Sequence, residues 1–68
     1  MTTETFLKLC IDAATDCDPG ALDDLSWDLE HNEVDNADGT PLSEKQISEL
    51  RISHERCFRM AHERADLG

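Results

Sequence analysis

The stretch from Leu42 to Ala65, LSEKQISELRISHERCFRMAHERA, decides the fold. Ser43 followed three residues later by Gln46 is a capping box, in which each side chain satisfies a backbone N–H that the first helical turn leaves free. Leu42, just before the cap, is placed to staple onto Ile47. Beyond it, Ile47, Leu50, His54, Cys57, Phe58, Ala61 and Ala65 recur at spacings of three and four, the period of one helix face. These signals predict a helix from 44 to about 66, roughly 34 Å long at 1.5 Å per residue. That helix is expected to be the spine on which the rest of the chain packs.

Upstream, Glu33-Val34-Asp35-Asn36-Ala37-Asp38-Gly39-Thr40-Pro41 carries turn chemistry throughout and reads as a loop. Its aspartates invite comparison with a calcium-binding EF-hand loop. Aligning Gly39 at position 6 of that motif places Asp38 and Asn36 correctly but leaves Val34 at position 1 and Lys45 at position 12, so the motif fails at both ends. Further back, Asp18 caps and Pro19 opens a second helix, about 19 to 33, in which Leu22, Leu25 and Leu29 form a narrow stripe and Trp27 points away from it. The first helix, about 4 to 17, starts from the hydroxyls of Thr2 and Thr3. Its apolar stripe is Phe6, Leu9, Cys10, Ala13, Ala14 and Cys17, with Leu7 and Ile11 widening the edge. The expected fold is therefore all-α: a small three-helix domain over residues 1–68, two shorter helices packed on a long C-terminal one, with no sheet. At 68 residues such a domain removes only about 60% of its unfolded-state surface from water, which leaves a thin stability margin and little room for a catalytic pocket.

Charge is distributed along the chain with strong asymmetry. Between Met1 and Gly39, eleven carboxylates (Glu4, Asp12, Asp16, Asp18, Asp23, Asp24, Asp28, Glu30, Glu33, Asp35, Asp38) face a single base, Lys8, whereas from Thr40 onward acids and bases balance. The whole net charge of −10 thus belongs to the first half. A field of this kind steers positively charged partners and repels nucleic acid and anionic membrane. No apolar run approaches the roughly 20 residues of a membrane span, and MTTETF has no basic region ahead of an apolar stretch. A cytoplasmic protein is expected. Cys10, Cys17 and Cys57 are odd in number and lie on apolar faces, so they read as small buried hydrophobes.

The remaining candidate sites are sparse. His54, Cys57 and His62 share a helix, and His31 lies elsewhere, but the tight ligand pairs of zinc sites are missing. His54, in the middle of the apolar stripe, reads as a core histidine bonded to a neighbour. Neither a metal nor another cofactor is implied, and a Cys57 nucleophile would lack a cleft. Trp27, Ile52 and Met60 fit no core stripe and are expected at the surface. Trp27 stands among Asp23, Asp24, Asp28 and Glu30, an aromatic anchor inside an acidic collar, the arrangement expected of a binder of basic, grooved surfaces. With Glu33, Asp35 and Asp38, the carboxylates from Asp23 to Asp38 number seven in sixteen residues. That density is comparable with the one charge per about 1.7 Å of duplex DNA. The expected function is non-enzymatic: inhibition or modulation of a basic or nucleic-acid-binding protein through Asp23, Asp24, Trp27, Asp28, Glu30, Glu33, Asp35 and Asp38.

In size and charge the chain resembles phage-encoded inhibitors of host defence, the anti-CRISPR and anti-restriction proteins, some of which act as DNA mimics; that resemblance implies a bacterial host cytosol. In the order of its elements, FLKLC, then ALDDLSWDL, then PLSEKQISELRISHERCF, it looks like the small Hha-type modulators that bind a nucleoid-organising protein. A structural homodimer or toxin-neutralising partner is a third expectation, since Arg51, Arg56, Arg59 and Arg64 are available to pair with the acidic half of a second copy.

Overall fold

The structure, a computed structural model, describes residues 1–67, with side chains through Arg64; Ala65, assigned above to the inner face of the long helix, lies outside the described side chains. Three helices follow in the expected order, α1 (Thr3–Thr15), α2 (Pro19–Glu30) and α3 (Glu44–Leu67). Among the described residues, extended pairing is limited to isolated bridges of Asp35 with Thr2 and with Pro41. All three helix pairs pack together, α1 against α3 most extensively. The 40 Å long axis of the molecule is essentially the length of the 24-residue α3. No described helix is long and apolar enough to cross a membrane.

Each helix begins for a local reason, and α1 and α2 end for one. Thr2 Oγ1 accepts from the Thr5 N–H at 3.2 Å to start α1. Its end is a Schellman turn: Asp18 N donates to Ala13 O at 2.9 Å and Cys17 N to Ala14 O at 3.3 Å, with Cys17 in the left-handed region at φ 55°. Asp18 then caps α2 through Ala21 N at 3.2 Å. α2 stops at Glu30, short of the expected residue 33, because Asn32 turns left-handed at φ 58° and Glu33 N donates back to Asp28 O. The capping box of α3 is complete: Gln46 N donates to Ser43 Oγ at 3.2 Å and Ser43 N to Gln46 Oε1 at 2.9 Å. Gln46 also ties down the preceding loop, its Nε2 donating to Asn36 Oδ1 at 2.6 Å while Asn36 Nδ2 donates to Gln46 Oε1 at 3.4 Å.

The core gathers Phe6, Cys10 and Ala13 of α1, Leu22, Leu25 and Leu29 of α2, Val34 of the loop, and Leu50 and Ala61 of α3. Phe6 is fully buried, a contribution of about 1.5–3 kcal/mol. His54 is the expected core histidine: half-buried, it donates from Nε2 to Leu22 O at 2.6 Å and tethers α3 to α2. Three expectations need correction. Leu9 is 39% exposed, because the α1–α2 seam is left open on the side away from α3. Ile11 is 60% exposed, since it falls well outside the arc that α2 and α3 cover. Of the cysteines only Cys10 is buried; Cys17 sits in the turn and Cys57 at the edge of the α3 stripe, both half-buried. Leu7 packs on the core from the edge of the α1 stripe, as expected; Leu42 also packs there, and Val34 is buried although its surroundings read only as loop.

Candidate protein-binding face

The residues expected to bind a partner separate into three places. Asp23, Trp27 and Glu30 stand on the outward face of α2, exposed. Trp27 is 52% exposed and not free to wander: its ring stacks on His31 at 3.8 Å between centroids and 11° between planes, while His31 Nδ1 donates to Trp27 O at 2.9 Å. One indole face is thereby covered and the side chain is held in a defined orientation. Asp24 and Asp28 lie around the flank of α2, next to α1. Glu33, Asp35 and Asp38 belong to the loop, where each is engaged: the N-terminal amine of Met1 donates to Glu33 O at 2.7 Å. Asp35 is half-buried, and its backbone N–H donates to Met1 O at 2.9 Å. Asp38 Oδ1 accepts from Thr40 Oγ1 at 2.6 Å and Thr40 N at 3.0 Å, and these bonds hold its carboxyl below the usual carboxylate range. Asp38 is thus a turn-forming residue as well as a charge.

A feature that sequence reasoning missed lies beside this face. Between α1 and α2 runs an open groove of about 320 Å³, bordered by Met1, Leu9, Ala13, Ala21 and Leu25 and by Asp12, Asp16, Asp18, Asp24 and Asp28. The floor is apolar and both walls carry aspartate. Asp24 and Asp28 connect the groove to the Trp27 face, whereas the sequence reading gives Asp12 and Asp16 only as net charge and Asp18 as the cap of α2. A signal for them exists in the sequence. Asp12 and Asp16 are four residues apart on the flank of the α1 stripe, as Asp24 and Asp28 are on α2, and two such flanks joined by a three-residue turn must meet.

The electrostatics of this half are uncompensated. Among the described residues the one ion pair is Arg59–Glu55, 3.0 Å apart on α3, so no carboxylate of the first 39 residues is paired with a base. Ile52 and Met60 are exposed on α3, as expected. Among the described residues, no group of three or more His, Cys, Asp or Glu side chains is arranged to hold a metal ion. Burial, and after it the neighbouring Cys57, pushes the Cys10 thiol up to about 12, which suits packing and not nucleophilic chemistry. No protein-family model, curated protein or solved structure matches this chain.

Proposed function

We propose that this protein is a non-enzymatic inhibitor or modulator whose acidic half occupies a basic, nucleic-acid-binding surface of a partner protein. The observation that carries this reading is the set of eleven carboxylates in the first 39 residues, none of them paired with a base among the described residues, on the same half of the chain as a surface tryptophan already held by its neighbour. Unpaired charges on a folded surface project a field that ion pairing would cancel, and a pre-oriented aromatic loses little entropy on binding. Kinetics and competition on the isolated partner test the reading. Raising salt from 50 to 500 mM shortens the Debye length from about 14 to about 4 Å and should slow association. Trp27→Ala should chiefly speed dissociation, by the 2 kcal/mol or more typical of a central interface anchor. Nucleic acid should compete with the protein for the partner; simultaneous binding of both, or contact made only through α3, would overturn the proposal.

A further inference from the structure

We infer that the groove between α1 and α2 receives one amphipathic basic helix of the partner, its apolar stripe on Leu9, Ala13, Ala21 and Leu25 and its lysines or arginines against the aspartate walls. This rests on the reading that the acidic half meets a basic protein, and specifies the element that is met. Geometry favours a helix. α1 and α2 have 13 and 12 residues and are joined by a tight turn, so the trough between them is about 18–20 Å long, some three to four turns of a third helix. None of the residues bordering it comes from α3, so a docked helix would complete a packing that the chain itself leaves open.

Charge decides what kind of helix. Asp12 and Asp16 line one wall, Asp24 and Asp28 the other, and Asp18 the turn end, so an occupant must carry positive charge on both flanks of an apolar stripe. A second copy of this chain does not meet that requirement. Apart from Lys8 on α1, its bases lie on α3, where Arg51, Arg56 and Arg59 alternate with Glu49, Glu55 and Glu63 and Arg59 is already paired. Each copy would also bring a further −10. The groove aspartates are moreover placed against helix energetics. Asp12–Asp16 and Asp24–Asp28 are like-charge pairs four apart, and Asp12, Asp16 and Asp28 crowd helix C-termini that have no base in their last turn. An incoming row of bases relieves both penalties.

The test uses fluorescence anisotropy with a labelled peptide of leucine and lysine, about 14 residues long, ordered to give one apolar helical face. A scrambled peptide of the same composition is the control for charge alone. At 50 mM salt the amphipathic order should bind about tenfold more tightly than the scrambled one. Leu9→Gln, and separately Asp16→Asn with Asp28→Asn, should each weaken it about tenfold, while Ile11→Gln on the far side of α1 leaves it unchanged. Because Leu9 and Ile11 are both exposed, both variants should fold, which circular dichroism checks. Equal binding of the two peptides, or no binding, would overturn the groove assignment. So would sensitivity to Trp27→Ala without sensitivity to Leu9→Gln, an outcome that leaves the wider acidic-face proposal standing. A doubled solution mass that Leu9→Gln abolishes would assign the groove to a second copy and also overturn the inference. Conversely, if partner and nucleic acid bind together while the peptide results hold, only the nucleic-acid-surface reading falls.

Discussion

Two cysteines show how much a single position contributes in a domain this small. Cys17 adopts φ 55°, a conformation that costs a residue with a Cβ about 1–2 kcal/mol and glycine almost nothing. Against that relief stands the greater freedom glycine gives the unfolded chain, about 0.4–1 kcal/mol. Cys17→Gly should therefore raise stability by about 0.5 kcal/mol, or about 2–4 °C in thermal denaturation. Cys10 responds to pH. Its folded-state thiol is pushed up to about 12, above the ordinary cysteine range, so the folded state holds the proton more tightly than the unfolded chain. The resulting stability is fully present below the unfolded value and is lost as pH rises from about 9 toward 12. Denaturant melts across that range should show the decline in the wild type and a shallower one in Cys10→Ala. Neither effect was legible beforehand. The pattern places Cys10 and Cys17 on the same apolar face, and only the Schellman turn separates the buried residue from the strained one.

At the scale of the element, the start of α3 does more than cap a helix. Gln46 Oε1 accepts from both Ser43 N and Asn36 Nδ2, so the cap and the loop share one acceptor. Ser43→Ala should cost about 1 kcal/mol as the loss of an N-cap. Asn36→Ala should cost a similar amount, since it removes the bonds to Gln46 and leaves Thr40 and Pro41 O without the Asn36 amide. Because the two changes act on one network, the double variant should depart from additivity by about 0.5 kcal/mol or more, measurable in a double-mutant cycle by urea titration. Helix identity and order were legible here because caps and periodicity are local properties. The link from Asn36 to Gln46 was not, since nothing local specifies which side chain a turn asparagine will meet ten residues on. The groove stayed hidden for a related reason. Leu9 has the spacing of a core residue, and its exposure depends on no element covering the α1–α2 seam.

For the molecule as a whole, the acidic half opposes its own folding. Asp12, Asp16, Asp24 and Asp28 repel within their helices, and the C-terminal turns of α1 and α2 contain no base to meet the dipole. Each like-charge pair four apart costs about 0.2–0.5 kcal/mol, and an acid in a last turn costs a comparable amount. Asp12→Asn with Asp28→Asn should therefore stabilise the protein by about 1 kcal/mol, raising the melting temperature by about 4–8 °C. Raising salt from 50 to 500 mM should stabilise the wild type in the same direction and narrow its gap to the variant, because screening relieves what substitution removes. If the aspartates serve binding, the gain in stability comes with a loss: the same double variant should associate more slowly with the basic partner and hold the amphipathic peptide less tightly. A surface whose only role is solubility would show the stabilisation without the loss. Thermal melts at two salt concentrations, paired with association rates for the same two proteins, separate these cases, and a variant that is more stable yet binds as fast as the wild type would remove the groove aspartates from the interface.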